Sequence, residues 1–278
     1  MKYLDFHQHY GFLAYRSITI EHSGNPDDVF EKIIIDNCKK LDMVVAVNGC
    51  GVYPHKKHGM VMVDKNNEVE KFFKKFPDHV IGIAYVDLDY IQPDYINKLK
   101  KRGFKGLKTI WPAERYDSKK YFEIYKRCQY LGMPILFHTG VCYILGFNGK
   151  EGAASYNMHP AFLEMVAARC PELQIVGAHL GSGWFDIACF LALCSSEANN
   201  NLKFDISLAD GIRELIMSRK YIKECVPAKS LVWGLDEPPT KYEKILDQWN
   251  NHFNEIGLTR EEKDRIFFKN SCEILCVE

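Results

Sequence analysis

The sequence predicts an α/β protein, a (β/α)8 TIM barrel of one domain spanning residues 1–278, and three observations carry that expectation. Short apolar, β-branched runs recur eight times, a segment of helical period follows each, and the residues that close several runs are His or Asp. The first run, 3–9, ends in His7-Gln8-His9. Pro26-Asp27-Asp28 then opens a helix, with proline in the first turn and two acids near the positive end of the dipole. The run 43–48 holds Met43-Val44-Val45-Ala46-Val47, a continuous apolar stretch that suits a sheet covered on both faces. Runs at 80–86 and 104–110 follow, and Asp117-Ser118 offers a cap to the next helix, whose Tyr121, Ile124, Tyr125 and Cys128 fall at i, i+3, i+4, i+7. Gly132-Met133-Pro134 turns the chain into the run 134–138, His159-Pro160 starts another helix, and Cys170-Pro171-Glu172 precedes the run 174–179. Ile187, Phe190, Leu191 and Cys194 mark a further helical stripe expected to face the core, and Asn199-Asn200-Asn201 reads as the turn leaving that helix. The runs 203–207 and 231–236 complete the eight. Alternation of this kind demands parallel strands joined by crossover helices, and eight repeats suit a closed barrel better than an open sheet. No Ser/Gly/Pro-rich linker divides the chain.

Composition excludes several function classes. The 278 residues carry 36 Lys+Arg and 36 Asp+Glu, a net charge of zero, and show no clustered cationic excess of the kind phosphate-backbone binding requires. No stretch approaches the roughly 18 apolar residues of a membrane span, and the N-terminus reaches Asp5 and the first histidines too soon for a signal peptide. The expectation is a cytoplasmic protein with a small-molecule substrate and neither nucleic acid nor membrane as partner. The ten Cys are scattered without a C-x-x-C pair, so they read as reduced thiols acting as small core hydrophobes, Cys128 and Cys194 among them. Neither Cys189 with Cys194 nor Cys272 with Cys276 has zinc-ribbon spacing. The P-loop, G-x-G-x-x-G and G-x-S-x-G patterns are absent, which removes support for nucleotide and serine-hydrolase chemistry.

In such a barrel the active site forms where the strands end. His7, His9, His138, His179 and Asp236 all close runs, so five metal-competent side chains are expected on one rim. Residues i and i+2 of a strand share a face, which lets His7 and His9 chelate one ion together. Imidazole and carboxylate suit Zn2+ and related divalent ions. A single strand-end His is more often a hydrogen-bonded core or loop residue, and Asp236 alone would serve as a cap before Pro238. Five together would bury polar groups at considerable cost without a cation to share. Around them, Lys108 ends the fourth run, with Lys105 further from the end, and Trp111, Tyr143 and Trp184 follow runs four, five and six as pocket walls or plain packing. His55 and His58 read as a solvated loop, His159 as a loop residue, and Arg16 and Arg115 as surface charges. Arg265-Ile266-Phe267-Phe268 is open to packing under the barrel or against a second copy in a homo-oligomer.

With these residues in view, the chain resembles the amidohydrolase superfamily, in its amidohydrolase-related branch of aminocarboxymuconate-semialdehyde decarboxylase-like proteins and lactone hydrolases. The segments that carry the resemblance are Asp5-Phe6-His7-Gln8-His9, Gly103-Phe104-Lys105-Gly106-Leu107-Lys108, Pro134-Ile135-Leu136-Phe137-His138-Thr139-Gly140, Ala178-His179-Leu180-Gly181, Gly234-Leu235-Asp236 and Phe268-Lys269-Asn270. The resemblance implies that His7, His9, His138 and Asp236 hold one divalent ion, Zn2+ first and Mn2+ second. His179 would stand beside it to polarise substrate or shuttle a proton, and Asp236 would double as proton acceptor. Some relatives carry a carboxylated Lys bridging two ions at the position of Lys108; one ion, with Lys108 contacting an anionic substrate, is the preferred reading. Where the family often has Gly-Ser-Asp-x-Pro the chain reads Gly234-Leu235-Asp236-Glu237-Pro238, which keeps the acid and places Glu237 beside it; Glu237 and Trp111 join the expected substrate pocket. The implied activity is hydrolysis of a lactone, ester or amide by a metal-activated water. Non-oxidative decarboxylation of an unsaturated or aromatic acid is the alternative, and a barrel that binds without turnover ranks third, since it has no need of the acid at Asp236.

Overall fold

The computed structural model describes residues 2–11, 25–55, 59–142 and 150–277, with 52–55 and 59–61 described by their backbone. Among these lie ten strands: β1 Tyr3–His9, β2 Met43–Asn48, β3 Cys50–His55, β4 Gly59–Asp64, β5 Val80–Tyr85, β6 Gly106–Thr109, β7 Ile135–Phe137, β8 Ile175–Gly177, β9 Leu202–Asp205 and β10 Leu231–Val232. Eight of them form one parallel sheet in the order β1-β2-β5-β6-β7-β8-β9-β10, with helices between successive strands. Its two ends meet: the Phe6 amide donates to the Trp233 carbonyl at 3.0 Å and the Asp236 amide to the His7 carbonyl at 2.8 Å. The architecture is therefore the expected TIM barrel, and all eight runs are strands of it. No helix among the described residues is long and apolar enough to cross a membrane.

Two layers of apolar side chains hold the barrel. Leu4, Phe6, Ala46, Ile81, Ile83, Leu136, Val176 and Val232 fill its interior, closed from below by Ile274 and Leu275 of the C-terminal helix. Alternate strand residues such as Val45, Val47, Leu107, Ile135 and Phe204 face outward onto the helices, as a strand period of two requires. Strand β1 breaks this period. Its pairing with β2 slips between Asp5 and Gln8, so Phe6 packs inside while His7, the next residue, also faces in. Without that bulge, His7 and His9 would point at the helix layer.

The strands are shorter than the apolar runs, mostly at their C-terminal ends. His138, His179 and Asp236 lie one, two and four residues beyond the last residue of their strands. There the chain leaves the ladder: His179 and Asp236 have φ of 63° and 44°, and Trp111 beyond β6 has 53°. The region assigned to a loop around His55 and His58 is instead an antiparallel hairpin, β3 with β4. Its Met60-Val61-Met62-Val63 is apolar and partly β-branched, a pattern that suits a strand. His58, Arg16 and Tyr143 lie outside the described residues.

The helix Phe185–Glu197 exists as expected but turns a different face to the core. Phe185, Ala188, Cys189 and Ala192 are buried, whereas Ile187 and Phe190 are 42% and 65% exposed and Cys194 is exposed. The helix is apolar on nearly every side, so spacing alone does not choose between stripes. Small residues decide it: Gly181, at φ 69°, lies so close that a Cβ there would meet the Ala188 Cβ at 2.8 Å. Tyr121, Ile124, Tyr125 and Cys128 are buried as predicted, and Asn25 and Ser118 cap the helical segments that follow them.

The C-terminal segment packs under the barrel. Ile266 and Phe267 are buried, the Ile266 carbonyl accepts from the Trp233 amide at 2.9 Å, and Asn270 Nδ2 donates at 2.7 Å to the carbonyls of both Ala228 and Leu231. On the opposite side, Asp89 ties together the loops beyond β5, β6 and β7. It accepts from the Ala113 amide (2.7 Å), Lys120 (2.7 Å), Tyr121 Oη (2.6 Å) and Lys150 (2.6 Å), and Lys150 also meets Asp87 at 2.6 Å. Burial opposes ionisation of Asp89, but the two lysines and the tyrosine outweigh it and hold the carboxyl below its ordinary range.

Two outcomes follow. Asn270→Ala leaves two buried carbonyls without their donor and is expected to cost about 2–4 kcal/mol in chemical denaturation; a cost below about 0.5 kcal/mol would contradict the contact. A carboxylate with a depressed folded pKa stabilises above its unfolded pKa and loses that contribution as the pH falls through the folded value. Asp89→Asn is therefore expected to cost about 2 kcal/mol at pH 7, with the gap to wild type closing below about pH 4 in pH-dependent unfolding.

Candidate metal centre

The site is assembled on the rim from β1, the ends of β6, β7, β8 and β9, and the segment after β10. Three histidines have one ring nitrogen each committed outward. His7 Nδ1 donates to Asp205 Oδ2 at 2.8 Å, His9 Nδ1 to the Cys50 carbonyl at 2.5 Å, and His179 Nδ1 to the Ser207 carbonyl at 2.7 Å. These acceptors take protons and give none, so they fix the proton on Nδ1 and leave each Nε2 with a lone pair. The Nε2 atoms converge. His7 Nε2 is 3.2 Å from His9 Nε2, and Asp236 Oδ1 is 3.3 Å from His9 Nε2 and 3.9 Å from His7 Nε2. Asp236 Oδ2 lies 3.6 Å from His179 Nε2, and the ligating atoms of His7, His179 and Asp236 all fall within 4.8 Å of one another. His138 joins through Nδ1, 3.2 Å from His179 Nε2, while its carbonyl accepts from Tyr116 Oη at 3.0 Å. The five residues read from the sequence thus meet at one place.

Electrostatics favour the neutral, ligating form of the rings. Burial, then the Lys108 charge, pushes the His7 pKa down to about 3. His9, His138 and His179 are lowered as well, each by burial first; Lys108 adds to this at all three, while Asp205 opposes it at His179. Lys108 is fully buried, its Nζ donates to His7 Nε2 at 3.0 Å, and burial lowers its own pKa against the pull of Asp236 and Asp205. Lone pairs meeting at 3.2 Å beside a carboxylate fit a divalent cation, and His/carboxylate donors suit Zn2+ or Mn2+.

Two acids behind the cluster were not singled out in the sequence. Asp205, buried at the end of β9, holds His7, and Ser207 lies between Asp205 and the rings of His7 and His179. Asp5 accepts from the amides of His7 (2.9 Å) and Leu235 (3.0 Å) and from Tyr242 Oη (2.6 Å), which ties β1 to the chain leading to Asp236. Burial raises the Asp5 pKa to about 6. Asp205 lies inside the run 203–207, two residues before its end, and only the observed strand ends on it.

The remaining candidates divide. Trp111 is buried two residues beyond β6, its amide against Met158 Sδ at 3.2 Å. Glu237 is buried and meets Lys241 at 3.2 Å, which in turn reaches Asp210 at 3.3 Å. Trp184 packs on His159 at 4.5 Å between ring centroids and lines a cavity of about 630 Å³ with Val141, Ile212, Leu215 and Arg219, which none of the clustered histidines lines. Arg115 pairs with Asp117 on the surface, Lys105 is exposed, and His55 closes β3.

Residues 53–275 match the amidohydrolase family, and the chain belongs to it. Comparison with curated protein sequences gives no match. Solved structures of similar fold include a probable 2-pyrone-4,6-dicarboxylic acid hydrolase of Acinetobacter baumannii, at 13% identity over 99% of this chain and 100% of that one, TM-score 0.60. The 4-oxalomesaconate hydratase of Rhodopseudomonas palustris aligns at 17% over 99% and 95%, TM-score 0.59, and the 5-carboxyvanillate decarboxylase of Sphingomonas paucimobilis at 11% over 100% and 99%, TM-score 0.62. Family, fold and the His/His/Asp cluster together define a metal-dependent enzyme acting on a small carbonyl substrate.

Adding Zn2+ or Mn2+ to chelator-treated protein is expected to raise its stability by about 2.7 kcal/mol at 100-fold excess over Kd, read as a rise in Tm. A Tm unchanged by either ion would contradict the centre.

Proposed function

We propose that this protein is a metal-dependent hydrolase of a small lactone, ester or amide, with one divalent ion held by His7, His9, His138 and Asp236. The observation that carries this reading is the placement of Asp236. Its side chain is 22% exposed, against 0%, 8% and 11% for His7, His9 and His179, so it faces the mouth while its oxygens stay within 4 Å of all three rings. A divalent ion bound there would supply Lewis acidity to a carbonyl oxygen and make a water acidic enough to furnish hydroxide near neutral pH.

The chain's own groups do the rest. Asp236, a carboxylate within reach of the nucleophile's position, accepts the proton of the attacking water at one oxygen and passes it to the leaving group. His179 carries its proton on Nδ1, so its Nε2 bears the lone pair that can take and return a proton, which suits the shuttle; polarising a carbonyl would require the protonated ring. Lys108, the buried cation beside His7, favours an anionic group on the substrate. Trp111 and Glu237 would shape the pocket wall rather than react. The enzyme is expected to act in the cytoplasm.

Asp236→Asn is expected to keep part of the metal and lose about 10²–10⁴-fold in kcat, and unimpaired turnover would show that another group is the base. A substrate panel scored for both acid release and CO2 tests the reaction class. Acid release with water incorporation supports hydrolysis, whereas CO2 without water incorporation would overturn it in favour of decarboxylation.

A further inference from the structure

We infer that Asp205 is the positioning residue that sets the ring state of His7 and, through Ser207 and the backbone, the pose of His179. The inference rests on the reading of the cluster as a metal centre. Asp205 touches no solvent and accepts four hydrogen bonds. Oδ2 receives His7 Nδ1 at 2.8 Å. Oδ1 receives the His179 amide at 2.7 Å, the Ser207 amide at 3.1 Å and Ser207 Oγ at 2.5 Å. All four bonds are made inside the protein and the carboxylate is fully buried, out of a substrate's reach. Its work is directed at its neighbours.

The two oxygens do different things. Oδ2 keeps the His7 proton on Nδ1 and so aims the Nε2 lone pair into the cluster, the arrangement that orients and strengthens imidazole ligands. Oδ1 anchors the His179 backbone in a left-handed conformation, φ 63°, which costs a non-glycine residue about 1 kcal/mol or more and needs fixed partners to persist. Because Ser207 Oγ gives its proton to Asp205, its own lone pairs face the Nδ1 atoms of His7 (3.1 Å) and His179 (3.0 Å). One acid on β9 therefore governs a ring from β1 and a ring from beyond β8.

A purely structural acid and a positioning acid respond differently to Asp205→Asn, which preserves shape. The amide must turn its oxygen to the Oδ1 position, where three donors converge, and this leaves the NH2 group facing His7 Nδ1. Donor then meets donor. His7 relieves the clash by moving its proton to Nε2, the nitrogen that should bear the ligating lone pair, or by rotating out of the cluster; either removes it as a ligand.

The test uses the full chain, with Zn2+ as the probe in chelator-competition titrations, alongside 15N imidazole shifts of His7 in the chelator-treated protein. Wild type is expected to show His7 protonated on Nδ1, and Asp205→Asn to bind Zn2+ about 10–100-fold more weakly while the chelator-treated variant still unfolds cooperatively. Affinity within about threefold of wild type would overturn the inference. Should the variant fail to fold, the wild-type spectrum decides: a His7 proton on Nε2 would overturn the positioning role without any variant. Wild type that binds no Zn2+ yet shows the Nδ1 tautomer would sink the metal reading and leave the control of His7 by Asp205 standing.

Discussion

Imidazole nitrogens without protons repel when they face each other, and the rim of this barrel is built to make them do so. His7 and His9 bring Nε2 atoms to 3.2 Å, each with its proton pinned on the far side of the ring by a carboxylate or a carbonyl. His179 is pinned in the same way by Ser207. Burial keeps all of them from relieving the contact by protonation, because a charged ring would lose its hydration and face the Lys108 charge. Lys108 offers one donor to His7. A divalent cation satisfies several lone pairs and Asp236 together, and the surrounding structure is intelligible as the means of holding these groups in place against their mutual repulsion.

The fold supplies that restraint at specific positions. A bulge in β1 carries His7 and His9 to the inner face, and hydrogen bonds from Phe6 and Asp236 to the opposite strand close the sheet beside them. Asp5 fixes the backbone on both sides of the seam. Trp111, His179 and Asp236 sit in left-handed conformations beyond strands, each with its amide held, by Met158 Sδ, Asp205 Oδ1 and the His7 carbonyl respectively. Beneath them, the packed interior of Leu4, Phe6, Ile83 and Val176 gives the rim a rigid base.

Much of this was legible in the sequence, for physical reasons. Eight buried parallel strands leave eight apolar runs, and the rule that barrel strands end at the active site was enough to select His7, His9, His138, His179 and Asp236. Other features depend on contacts that periodicity does not record. The face of helix Phe185–Glu197 was set by close approach of Ala188 to Gly181 rather than by the larger Ile187 and Phe190. Asp205 lies within the run 203–207 rather than at its end, and reads as an ordinary acid until the partners it orders, distant in the chain, are seen around it. The β1 bulge has no signature in Tyr3-Leu4-Asp5-Phe6-His7, because it is fixed by register against β2.

On the proposed reading, converging lone pairs on this rim hold one divalent ion, and anomalous X-ray scattering from crystals grown with Zn2+ or Mn2+ tests this. A single strong peak per chain is expected among His7 Nε2, His9 Nε2 and the Asp236 carboxylate. A crystal with no peak there, or with its only ordered metal elsewhere on the surface, would contradict it.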